Sequence, residues 1–261
     1  MEVKAMASEE GRAVVVVPGE VGKRLIGRAV ARLPQVQQAR ESGLIVIGWG
    51  TTNAYVAEEL LGRAFPKERY VAGYVAEELR VLPPEERAPM LVLDRGEPKN
   101  LGWSEILPRL RAGDVVIKGG NVLDPQGVVG VYVAGEDGGT VGRFLGPALA
   151  RGVEIVIPIS RSKSVHASVL ELAKRLGSGR LLDSMGPRIG LVPLWGTVIT
   201  ETEAVAALYG VNAEHIGGGG LGRGGGAVVL LLSGPAEAVK QAFSEITALA
   251  KSEPPLSVGR P

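Results

Sequence analysis

Short apolar runs rich in β-branched residues recur along the chain, each closed by glycine or proline and followed by a stretch of helical periodicity. They fall at residues 13–17 (AVVVV), 44–48 (LIVIG), 90–94 (MLVLD), 114–119 (DVVIKG), 129–134 (VGVYVA) and 153–159 (VEIVIPI). A strand buried on both faces has no polar side, so this order predicts βα units in a mostly parallel sheet with helices on both faces. Val21, Leu25, Ala29 and Leu33 stand at helical spacing with charges opposite, which predicts an amphipathic surface helix. Further helices are expected at 53–62, ended by Gly62 in the left-handed position, and at 168–179.

The texture changes at 180–190, where LLDSMGPRIG mixes glycine, proline and polar residues. A boundary there divides the chain into an α/β, Rossmann-like domain (1–185) and a small α+β domain (186–252), with a mobile tail (253–261). In the small domain the pattern reads strand LVPLWG, helix TETEAVAALYG, strands NAEHIG and GAVVLLLSG, and a last helix opened by Pro235. Thr200 and Glu203 have capping-box spacing. Three strands and two helices suggest a ferredoxin-like unit.

Composition removes several kinds of chemistry. The 261 residues include no cysteine, which excludes disulfides, thiolate ligands and a thiol nucleophile. Two histidines, His166 and His215, lack the spacing of a metal site, so no metal is expected. A net charge of +1 with scattered basic residues argues against a nucleic-acid surface. The acidic N-terminus, lacking an apolar leader, and the absence of a spanning apolar run point away from a membrane and to the cytoplasm.

Candidate chemistry gathers where apolar runs end. Gly48, Trp49, Gly50, Thr51, Thr52 and Asn53 follow a strand and open a helix, where free amides and the helix dipole favour an anion, most simply a phosphate. A threonine there can equally be an ordinary N-cap. Lys118, Gly119, Gly120, Asn121 and Asp124 end another strand and face the same crevice if the sheet is parallel. Asp124 with residues 125–127 can also be a plain β-turn. Gly138, Gly139 and Thr140, followed by Arg143, offer a third amide-rich helix start or a flexible linker. Ser160, Arg161, Ser162 and Lys163 follow the last strand of the large domain, with His166 beyond. Glycines 217–220, 222 and 224–226 read as a mobile loop or a lid.

Three segments, IVIGWGTTNAYVAEEL, DVVIKGGNVLDPQGVVG and VEIVIPISRSKSV, carry a resemblance to the superfamily that joins ribose-5-phosphate isomerase, glucosamine-6-phosphate deaminase and the coenzyme A transferases. The resemblance covers residues 44–165. It implies a sugar phosphate held by residues 48–52, an acid-rich loop at 118–124 and a late strand ending near Lys163. The acids are missing: Lys118 and Asn121 stand where the isomerase loop has carboxylates, and only Asp124 remains. Glu136 is the one candidate for the nucleophilic glutamate of a transferase.

The functional expectation is binding or conversion of a small phosphorylated metabolite, sugar-phosphate or nucleotide-like, at the strand ends of the α/β domain of an oligomeric protein, with an unidentified cofactor if any. Lys118, Asn121 and Asp124 are the candidate reacting groups. Gly48, Gly50, Thr51, Thr52, Asn53, Gly119, Gly120, Gly138, Gly139, Thr140 and Lys163 are the candidate binding residues. The alternative is a sensing or assembly protein that keeps the pocket without chemistry. Proton abstraction beside a carbonyl needs a positioned base, so purified protein should not isomerise ribose 5-phosphate at an enzymatic rate. Clear turnover in a coupled assay would overturn this alignment of the 118–124 loop.

Overall fold

The apolar runs become strands where the periodicity put them, but they enter different sheets. The protein is seen in a computed structural model that describes residues 10–258. In chain order the first elements are β1 (Glu10–Val17), α1 (Gly19–Ala31), α2 (Pro34–Ser42), β2 (Leu44–Ile47), α3 (Thr51–Leu61), β3 (Gly73–Val75) and β4 (Leu79–Val81). Next come β5 (Leu91–Asp94), β6 (Glu97–Lys99), α4 (Trp103–Arg109), β7 (Val115–Ile117), β8 (Val122–Leu123), β9 (Val129–Val133) and α5 (Gly139–Arg151). The rest are β10 (Glu154–Pro158), α6 (Val169–Arg175), β11 (Gly190–Leu194), β12 (Thr197–Ile199), α7 (Glu201–Tyr209), β13 (Asn212–Gly219), β14 (Ala227–Pro235) and α8 (Ala236–Ser252). No described helix is long and apolar enough to cross a membrane.

Six strands in the order β12-β10-β7-β2-β5-β6 form the main sheet. β12, β10, β7 and β2 are parallel, which matches the expected mixed α/β architecture. The run at 90–94 departs from it: β5 is antiparallel to β2 and turns back into β6 through Arg95 and Gly96, both at positive φ. Such a two-residue turn matches the twist of a hairpin. The sheet separates two cores. Ile45, Ile47, Val115, Ile117 and Val156 face α1, α3 and α7, while Leu44, Val46, Val116, Ile155 and Ile157 face α4, α5 and β9. Alternate side chains of β2 therefore serve opposite cores, which is why it shows no polar side.

The run at 13–17 is not part of the parallel sheet. β1 pairs antiparallel with β14 along its whole length, and β13 completes a three-stranded sheet. Val15 and Val17 are buried while Val14 and Val16 are more than half exposed, so the strand is one-sided. Valine at every position concealed that alternation. The run at 129–134 also leaves the main sheet, because β9 lies between β8 and β11 in a small antiparallel sheet.

The division expected near residue 185 does not follow these sheets. β1, from the N-terminal side, builds the C-terminal sheet, and β12, from the C-terminal side, extends the main sheet beside β10. The LVPLWG strand, assigned to the small unit, pairs with β9. One core joins Val21, Leu25 and Val30 of α1 to Val17, Leu230 and Leu232 of the small sheet. Hence α1 is an internal helix rather than a surface one. The helix expected at 168–179 ends at Arg175. The α+β unit holds α7 and α8 against three strands, and a fourth ferredoxin-like strand is not found among the described residues.

The capping box at Thr200 and Glu203 and the left-handed Gly62 appear as expected. Part of the tail does not behave as a free end. Glu253 is buried, its carboxylate bonded to Arg24 at 3.0 and 3.1 Å, and its carbonyl accepts from Arg223 at 2.8 Å. The acidic N-terminus (1–9) and residues 259–261 of the tail lie outside the described residues.

The position of α3 depends on close contact with α1. A Cβ on Gly27 of α1 would lie 3.0 Å from the carbonyl carbon and Cβ of Tyr55. Gly27→Leu should therefore lower stability by about 1 to 3 kcal/mol through overpacking. The urea midpoint should fall while the slope stays the same. An unchanged midpoint would show that the two helices can separate at no cost.

Candidate anion-binding site

Parallel pairing delivers two of the candidate segments to one edge. Gly48 N–H donates to Ile117 O at 2.9 Å, continuing the β2–β7 ladder past its last residue, and Lys118 N–H donates to Val156 O at 3.0 Å. The chain then turns into α3, with Gly50 N–H donating to Tyr70 O at 2.9 Å. Tyr70 is itself buried between β2 and β5, where its hydroxyl donates to Ile47 O and accepts from Leu91 N–H.

Helix α3 begins without a side-chain cap. Its N-cap is Gly50, and Thr51 and Thr52 are already helical, so neither threonine is the N-cap that the ordinary explanation requires. The first amides of the helix and its positive dipole end are thus directed at the cleft. Asn53 is fully buried and donates from Nδ2 to Gly48 O at 2.8 Å, yet its Oδ1 finds no hydrogen-bond donor in the described protein. Buried polar atoms are rarely left in that state. Gly48 and Gly119 allow the close approach: a Cβ on Gly48 would meet Lys118 Cδ at 3.0 Å, and one on Gly119 would lie 3.3 Å from Asn53 Oδ1.

Three lysines line this cleft of roughly 650 Å³: Lys23, Lys118 and Lys163. Lys118 donates weakly to Trp49 O and Gly119 O at 3.4 and 3.3 Å, Lys163 donates to Gly120 O at 2.6 Å, and Lys23 donates to Gly19 O at 3.2 Å. None forms an ion pair with a described carboxylate. Each keeps some contact with water through the mouth of the cleft while protein encloses it on the remaining sides. Burial pushes Lys118 down to about 8 from the usual 10.5. Burial, joined by repulsion from Lys23 and Lys118, brings Lys163 to about 8 as well. Lys23 is lowered by burial despite Glu20 and Glu201.

The cleft brings together Gly50, Thr51, Thr52, Asn53, Lys118, Gly119, Gly120, Asn121 and Lys163. Asn121 has its Oδ1 committed to Tyr132 N–H at 3.0 Å. Asp124 is not in the cleft. It is buried and accepts from the amides of Gln126, Val128 and Val169 at 3.0, 2.9 and 2.9 Å, so the turn explanation describes it, extended by a tie to α6. Gly138, Gly139 and Thr140 line a neighbouring cavity instead, and Arg143 is paired with Asp137 at 2.9 Å. His166 and Glu136 are exposed and outside both cavities. The glycine-rich loop is anchored by Arg223, which bonds Glu20 Oε1 at 2.7 Å, and it lines neither cavity.

Lys23 and the tail residues Leu256 and Val258 were not foreseen as cleft residues. Lys23 reads in the sequence as one charge on a polar helix face. Only the packing of α1 between the two sheets turns it toward β7 and the residues after β10.

Comparison with known proteins gives a partial likeness. No family model and no solved structure matches the chain. Two curated proteins named 6-phosphogluconate dehydrogenase, decarboxylating, match it in part. The one from Haemophilus ducreyi is 30% identical over 139 residues, and that from Aggregatibacter actinomycetemcomitans is 30% identical over 138. Each match covers 53% of this chain and 27% of the relative, so the chain spans about a quarter of the length of these relatives.

Removing the Asp124 carboxylate leaves three amides without an acceptor. Asp124→Ala should destabilise the fold by about 3 kcal/mol. The folded variant should bind anions as the parent does. A drop in anion affinity with stability preserved, measured by calorimetry and urea titration, would return Asp124 to the site.

Proposed function

We propose that the cleft binds the phosphate of a small phosphorylated metabolite. The observation that carries this reading is the gathering of Lys23, Lys118 and Lys163, without carboxylate partners, around the uncapped start of α3. Like charges enclosed together are costly unless a counter-charge meets them. A phosphate supplies that charge and accepts from the free amides and from the Thr51 and Thr52 hydroxyls. The partial relatives are named for 6-phosphogluconate, itself a small phosphorylated metabolite, which is consistent with the same ligand class. The resemblance to ribose-5-phosphate isomerase would set the phosphate on the same turn.

No described carboxylate lines the cleft or the cavity beside it. Proton transfer in a reaction here would fall to a lysine, whose neutral form is accessible near pH 8. The same lack of an acid favours a second reading, a sensor that binds the metabolite without converting it. Single-turnover incubation with candidate sugar phosphates, followed by product analysis, separates the two.

The lysines set a pH dependence of defined sign. The folded pKa of about 8 at Lys118 and Lys163 lies below the ordinary 10.5, so between these values the ligand-free fold binds fewer protons than the unfolded chain, and Lys23 is shifted in the same direction. Their cost to stability is full below about pH 8 and is relieved as pH rises toward 10.5. Phosphate binding has the opposite trend, because it needs the charged amines. Calorimetry should show affinity falling above about pH 8 while the ligand-free protein gains stability from these groups. Lys118→Met should keep or raise stability, flatten both trends and weaken phosphate-ester binding by about 1.5 to 3 kcal/mol. Unchanged affinity in this variant would remove Lys118 from the site.

A further inference from the structure

Beside the lysine cleft lies a second cavity of about 350 Å³ with a different lining. Its walls include the rings of Trp49, Tyr74 and Tyr132 and the aliphatic side chains of Val131 and Ile189, with Arg80, Arg87 and Arg143 also bordering it. The two spaces are adjacent: Tyr74, Tyr132, Lys118 and Asn121 border both. Trp49 is held in place, its indole N–H donating to Ala88 O at 2.9 Å and the Arg87 guanidinium lying 5.6 Å from its ring centre. We propose that the ligand is a nucleoside phosphate, its phosphate in the lysine cleft and its base in the aromatic cavity. This rests on the phosphate reading above and extends it to the rest of the ligand.

The chemistry of the walls selects this class. A sugar chain has a hydroxyl on nearly every carbon, and each hydroxyl taken from water without a partner is unfavourable. The three arginines that border the aromatic cavity are already engaged: Arg80 pairs with Glu78 at 3.2 Å, Arg87 donates to Leu82 O at 2.7 Å and Arg143 pairs with Asp137 at 2.9 Å. Asn121, Thr140 and the two tyrosine hydroxyls are the other side-chain partners it offers besides Lys118. A heteroaromatic base presents two apolar faces to rings and aliphatic groups and confines its polar atoms to its edge. The cavity also falls in the size range of sites that enclose small organic ligands. The sugar between base and phosphate would then lie beside Lys118 and Asn121, which border both spaces.

The test compares inorganic phosphate, ribose 5-phosphate and the common nucleoside 5′-monophosphates by calorimetry. Besides wild-type protein it uses two cavity-filling variants, Val133→Trp and Leu79→Trp. Both positions line the aromatic cavity and not the lysine cleft, on small sheets apart from the main one. At least one nucleotide should bind roughly 10-fold or more tighter than ribose 5-phosphate, the scale of one stacked base. Each folded variant should lose that gain while keeping its affinity for inorganic phosphate. Phosphate binding with no nucleotide gain over ribose 5-phosphate would overturn this inference and leave the phosphate reading intact. A nucleotide gain that survives in both folded variants would also overturn it. Failure of wild-type protein to bind any of the three ligand types would instead remove the phosphate reading on which it rests.

Discussion

The parallel register of β2, β7 and β10 is the constraint from which the site follows. Ile47 and Val156 both stand opposite Ile117, so neighbouring strands end on nearly one line. Past that line the ladder continues only through Gly48 and Lys118 backbone bonds. The residues that follow each strand must then share one edge of the sheet. A one-residue slip would turn Lys118 into a core and Ile117 toward the cleft, which burial on both faces opposes.

A lysine cluster at such an edge needs walls that hold it without neutralising it. The acids lie nearby but are engaged elsewhere. Glu201 accepts from Arg161 N–H at 2.8 Å, Glu20 accepts from Arg223, and Glu58, Glu59 and Glu253 converge on Arg24. Arg24 also lies 4.7 Å from the Tyr55 ring centre. Burial works against the Arg24 charge, but bonds from Glu253, Glu59 and Glu58 outweigh it and raise its pKa. Arg24 ties α1, α3 and the tail into one unit. That unit brings Leu256 and Val258 to the wall of the cleft.

Segregation of charge explains why the cleft is strongly cationic in a protein of net charge +1. The local field depends on which charges are enclosed together, not on their sum. Adjacent to this cationic space, the β3–β4 hairpin, β9 and the start of α5 enclose apolar and aromatic surface. Lys118 lines both spaces.

Local pattern was sufficient for the elements whose signal lies within a few residues. Strands β2, β7, β10 and β14, the Thr200 cap, the Gly62 stop and the glycine turn into α3 were all legible, because burial on both faces and capping leave marks in adjacent positions. The convergence of residues 50–53 with Lys118, Gly119, Asn121 and Lys163 followed from one further rule, that parallel strands share their carboxyl edge. The remaining decisions were long-range. β1 joined β14, more than two hundred residues away, because a one-sided strand made of valines pairs wherever its buried face finds a core. The local turn at Asp124 was legible, but its second carboxylate oxygen was taken by the distant amide of Val169, and Lys23 entered because α1 became enclosed between two sheets. No window of the sequence contains these partners, so hydrogen-bond and packing choices among distant segments had to be made by the tertiary structure.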